Sequence, residues 1–156
     1  MLIREFCAEN FTDIPRAVAA GAERIELCDN LAVGGTTPSY GVIKETADYL
    51  KDTKTTLASM IRPRGGNFIY NSIELRIMES DILKAIEAGT NELVFGALTD
   101  DNSLDLEALE TLVIASQGLP ITFHMAFDEI PSDLQKPALD ELITLGFDKI
   151  LMHGDS

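Results

Sequence analysis

The sequence predicts a parallel α/β fold, and within that class a TIM-type (β/α) barrel of which this chain carries six strands and five helices. Three observations predict it. A short β-rich run, a helical run and then a Gly or Pro recur in that order along the whole chain, the rhythm of parallel strands joined by right-handed crossovers. No Gly-x-Gly-x-x-Gly follows the first strand, which removes support from a dinucleotide-binding open sheet. Polar residues recur at the C-terminal ends of strands 1, 2, 3, 5 and 6. An open sheet gathers its site at one switch point, whereas a barrel draws on many strands.

The elements follow in order. Residues 3–8 read as the first strand, and Asn10 or Thr12 caps a helix that runs to Ala20 and stops at Gly21. Residues 24–28 form the second strand, followed by a long loop through Gly34-Gly35 to Pro38. Ser39 caps the second helix, which carries Val42, Ile43, Ala47 and Leu50. Residues 56–61 form the third strand, ended by Arg62-Pro63-Arg64-Gly65-Gly66. The clearest helix spans 72–88, because Leu75, Met78, Ile82 and Ile86 recur at three- and four-residue spacing and Gly89 follows. Strands at 92–98, 120–127 and 149–153 alternate with helices at 104–117 and 134–145. Residues 1–156 thus read as one partial barrel domain. A closed barrel of this type has eight strands. The expectation is that the closing units are missing or that another chain supplies them.

Composition narrows the function. The 156 residues are 46% apolar, enough for a real core, and contain no tryptophan. The net charge of −14 argues against nucleic acid and against an anionic membrane surface, since both need a basic face. No stretch is apolar and long enough to span a bilayer. The N-terminus becomes charged at Arg4-Glu5, so no signal peptide is visible and the expected location is cytoplasmic. In that reducing compartment the two cysteines, Cys7 and Cys28, are expected as thiols.

Four clusters could carry chemistry. Glu5-Phe6-Cys7 on strand 1 and Glu26-Leu27-Cys28 on strand 2 repeat one pattern. Side chains alternate faces along a strand, so each Glu shares a face with its Cys. Two thiolates suit Cu(I), a soft ion that prefers sulfur, although a buried cysteine is also an ordinary small core residue. The buried carboxylates need a partner, for which Arg62 or Arg24 is the candidate. Arg62 and Arg64 converge at the end of strand 3 beside two glycines, a composition suited to carboxylate or phosphate, or to a structural turn. On strand 5, Thr122, His124 and Asp128 are expected on one face, with His124 as proton carrier or metal ligand.

These segments together resemble the CutC family. The matching pieces are Ile25-Glu26-Leu27-Cys28, Gly34-Gly35-Thr36-Thr37-Pro38-Ser39, Met60-Ile61-Arg62-Pro63-Arg64-Gly65-Gly66-Asn67-Phe68 and Thr122-Phe123-His124-Met125-Ala126-Phe127-Asp128. The resemblance covers essentially the whole chain. It implies a TIM-type barrel, a cytoplasmic copper-homeostasis role, a homo-oligomer, and Cys7 and Cys28 as the Cu(I) ligands. In the metal-binding reading Met60 or His124 would help to hold the ion. Met125 stands where many members carry Arg, and Met152-His153-Gly154 replaces a more usual Thr-Ser-Gly. The alternative is an enzyme acting on a small anionic metabolite. Arg62 and Arg64 would hold the substrate, and Glu5, Glu26, His124 and Asp128 would handle protons. Either way the partner is a small molecule or a metal ion.

Overall fold

A computed structural model describes residues 2–153. Gly154, the end of the variant segment after the sixth strand, lies outside the described residues. Six strands form one sheet in the order β1-β2-β3-β4-β5-β6, every neighbouring pair parallel. They are β1 (Glu5–Glu9), β2 (Arg24–Cys28), β3 (Thr56–Met60), β4 (Glu92–Phe95), β5 (Ile121–Phe123) and β6 (Lys149–Ile150). Between them run α1 (Ile14–Ala19), α2 (Tyr40–Leu50), α3 (Ser72–Ala88), α4 (Leu106–Ala115) and α5 (Ser132–Leu145). The result is a curled half-barrel with its helices outside, as the strand–helix alternation predicts.

The helices start where local chemistry satisfies their first amides. Ser39 accepts from Val42 N at the head of α2. Asn71 and Glu74 form a reciprocal capping box on α3. Asp105 accepts from Ala108 N at α4. The first helix is shorter than expected. Neither Asn10 nor Thr12 caps it; Asp13 precedes it without a side-chain bond, and Pro15 occupies its first turn.

The two faces of the sheet differ. Ile25, Leu27, Leu57, Leu93, Phe95 and Phe123 point outward and form the main core with Ile14, Met78, Ile82, Leu109 and Leu142 of the helices. The inward face holds a separate small cluster of Cys28, Ala58, Met60 and Val94. Its rim is charged: Arg24 Nε donates to Glu5 Oε2, and Lys149 Nζ meets Glu92 Oε1 at 2.5 Å. Each buried carboxylate thus has a cation or a hydrogen-bond donor, which burial demands.

One sequence expectation is corrected. The fifth strand does not run to 127. It ends at Phe123, and Met125–Glu129 form a 3-10 turn. His124 itself ends the strand, because its Nδ1 accepts the Ala126 amide at 3.2 Å and its carbonyl accepts from Phe127 N. The register of the first two strands, which parity alone does not give, is offset. Glu5 pairs with Arg24, Cys7 with Glu26 and Glu9 with Cys28, so strand 1 is displaced by two residues relative to strand 2. A sheet that curls toward a barrel requires such a stagger.

Candidate functional site

The stagger builds a three-atom cluster. Cys7 sits level with Glu26, and Cys28 lies one inward-facing position further along β2. Both thiols donate to the same oxygen, Glu26 Oε1, at 3.8 Å from Cys7 and 3.7 Å from Cys28. The two sulfurs and that carboxylate lie within 4.8 Å of one another. Cys28 and Glu26 are buried, and Cys7 is exposed. The fully buried thioether of Met60 belongs to the same small cluster as Cys28.

The electrostatics of the three groups are linked. Hydrogen bonding from Cys28 lowers the pKa of Cys7, against the opposing effects of burial and Glu26. The same bond, with burial, pushes Cys28 upward. Burial raises Glu26, and the neighbouring Glu5 charge adds to it. Cys7 is therefore the sulfur that ionises first. Gly35, just after the turn Leu31–Val33, lies against Cys28. Gly35 has φ +97°, and a Cβ there would lie 3.0 Å from Cys28 Sγ, so this backbone approaches the thiol only as glycine.

The remaining candidates fall elsewhere. Glu5 is occupied by Arg24. Arg62 is buried, and its partners are not carboxylates. Nη1 donates to Val33 O at 2.6 Å and Gly35 O at 2.9 Å, and Nη2 donates to Gly66 O at 2.9 Å. Arg64 turns toward α3, pairing with Glu74 and donating to the carbonyls of Gly65, Asn67 and Ile69. Each of its guanidinium nitrogens is engaged within the protein. His124 is buried beside Phe68, with ring centroids 4.9 Å apart, rather than beside the thiols. Asp128 Oδ2 accepts from His153 N at 3.0 Å.

The sequence model of the CutC family matches residues 2–156. A CutC family protein of Streptococcus pyogenes is 61% identical over 153 residues, 98% of this chain and 73% of that protein. The chain belongs to the CutC family. The human copper homeostasis protein cutC homolog, 41% identical, is matched over 97% of this chain and 54% of its own length. Against the longest of these relatives the chain thus spans about half the protein. The crystal structure of a CutC from Streptococcus agalactiae superposes with a TM-score of 0.96 at 60% identity, covering 100% of this chain and 74% of that one. The YdjI aldolase of Escherichia coli, 15% identical with a TM-score of 0.65 over 96% of this chain and 53% of its own, shares the fold.

Several residues around this family's strand ends are not visible from motif reading. Phe68 packs under Arg62, with Cζ 5.0 Å from its ring centroid. Gly96 gives His124 its space: a Cβ there would fall 2.6 Å from Cε1. A lone glycine at the end of an apolar strand is the signal that marks such a close approach. Glu92 and Lys149 meet on the inward face through a register that strand parity alone does not give.

Proposed function

We propose that this chain binds Cu(I) between Cys7 and Cys28, as part of a copper-homeostasis protein. The observation that supports this best is the separation of the two sulfurs, which share a 4.8 Å neighbourhood across adjacent strands. Two metal–thiolate bonds of about 2.3 Å, the zinc value, span about 4.6 Å. An ion can therefore meet both sulfurs with little backbone movement. Two sulfurs with a nearby thioether form a soft donor set, which favours Cu(I) over harder divalent ions. Glu26 serves as the proton acceptor for thiols that must ionise on binding. Its pKa, raised by burial, makes it a better proton acceptor than an exposed carboxylate.

The human relative's name, copper homeostasis protein cutC homolog, fits this reading. The test is an anaerobic Cu(I) titration against a competing chelator, with one Cu(I) per chain as the expected end point. The double variant Cys7→Ser, Cys28→Ser should lose at least tenfold in affinity, and Glu26→Gln should lose less. Affinity equal to the parent in the double variant would refute the site. Tighter binding of Zn(II) than of Cu(I) would refute the choice of metal.

A further inference from the structure

Among the described residues, four side-chain polar atoms are buried with no hydrogen-bond partner: Thr46 Oγ1, Arg62 Nε, Tyr70 OH and His124 Nε2. Three of the four gather around the arginine at the end of β3. Arg62 Cζ lies 5.0 Å from the Phe68 ring centroid, and the His124 ring lies 4.9 Å from the same centroid. Tyr70 is close enough that the Arg62 and Arg64 charges oppose the upward push that burial gives its phenol.

The charge there is unbalanced. Arg62 forms no ion pair with any described residue; its partners are the neutral carbonyls of Val33, Gly35 and Gly66. A buried cation without a counter-charge is costly, and a buried N–H without an acceptor adds to that cost. His124 does not compensate. Its Nδ1 accepts the Ala126 amide, so the neutral ring carries its proton on Nε2. Burial, and then the Arg62 charge, push its pKa down to about 3, so at neutral pH it is an uncharged donor. The two unpartnered nitrogens are both donors, and the nearest charge is positive. An acceptor with negative charge satisfies all three conditions.

We propose that Arg62 and His124 form a binding site for a small oxyanion, carboxylate or phosphate, reached past the Phe68 ring. Phe68 is half-buried and packs on both donors. It also lines an open pocket of about 270 Å³ with Gly66, Asn67, Leu98, Asn102 and Glu129. Gly96 keeps the imidazole in place, since any larger residue would collide with Cε1. Arg64 takes no part, because its nitrogens are committed to Glu74 and loop carbonyls. The site shares Gly35 with the thiol cluster but does not require a metal there.

The chain has two histidines, so side-chain NMR of protein labelled with 15N-histidine resolves His124 directly. Inorganic phosphate and acetate would each be titrated at constant ionic strength. The expected result is a saturable shift of the His124 Nε2–H resonance with at least one of them. Saturation by phosphate alone assigns a phosphate site, and by acetate alone a carboxylate site. Arg62→Ala removes three loop contacts and can fail to fold, so the diagnostic pair is His124→Phe and His124→Gln. Binding measured by calorimetry should weaken at least tenfold in His124→Phe. It should stay within about threefold of the parent in His124→Gln, which keeps an N–H donor. The Cys7→Ser, Cys28→Ser protein should bind the anion like the parent, whatever its affinity for copper. No shift of His124 with either anion, or equal affinity in the Phe and Gln variants, would overturn the proposal.

Discussion

Lowering the pH should weaken the fold through one imidazole. His124 is buried, its Nδ1 is used by the Ala126 amide, and the Arg62 charge lies nearby. Burial first and Arg62 second lower its pKa from 6.5 to about 3. The folded ring therefore binds a proton less tightly than the unfolded one. Its contribution is fully present above the unfolded pKa and is lost as the pH falls toward the folded value. At about 1.4 kcal/mol per pH unit, the loss is about 2 kcal/mol between pH 7 and pH 5 and about 4 kcal/mol by pH 3. Other groups titrate in this range. Glu26, whose folded pKa is raised by burial, acts in the opposite direction. The His124 part is isolated by comparing the parent with His124→Gln in urea denaturation at half-unit pH steps from 7.5 to 5. The parent should lose about 2 kcal/mol more than the variant over that span. Parallel curves for the two proteins, or an NMR titration of folded His124 near its ordinary value, would refute the reasoning.

The thiols should differ in reactivity. Cys7 is exposed and its pKa is lowered by Cys28, whereas Cys28 is buried and raised, so iodoacetamide near pH 7.5 should modify Cys7 faster by on the order of tenfold. Peptide mass spectrometry reads this, and equal rates would contradict the asymmetry. Gly96→Ala places a Cβ 2.6 Å from His124 Cε1 and should destabilise the protein by about 1–3 kcal/mol, an overpacking cost. Made in a His124→Ala background, the same substitution should cost much less, and additive effects would show that the imidazole is not the obstacle.

Much of the fold was legible because it is written locally. The spacing of Leu75, Met78, Ile82 and Ile86 marks α3 at its observed limits, Ser72–Ala88, and residues 24–28 emerge as β2 without change. The pairing of Glu with Cys on the first two strands also leads to the three-atom cluster. What strand parity does not contain is register. The two-residue displacement that puts Cys7 beside Glu26, and Glu5 beside Arg24, belongs to the curling of the whole sheet. The end of β5 was illegible for a different reason. Phe123-His124-Met125-Ala126-Phe127 has the composition of a strand, yet one side-chain-to-amide bond from His124 folds it back. The partners of Arg62 were out of reach because they lie 27 and 29 residues earlier, on the carbonyls of Gly35 and Val33.

Those carbonyls have a mechanical meaning. The short arch from Leu31 to Gly35 is gripped at three points. Glu9 accepts the Leu31 amide at 2.6 Å, the Cys28 sulfur leaves no room for a Cβ at Gly35, and Arg62 holds the Val33 and Gly35 carbonyls. One strip of backbone is thus a common wall between a pair of thiols and a buried guanidinium. The other face of this wall is held by Arg62. By thermodynamic linkage, whatever free energy a cation at the sulfurs transmits to an anion at Arg62 is returned in equal measure. The arch is a stretch of backbone that the proposed thiol site and the proposed anion site have in common.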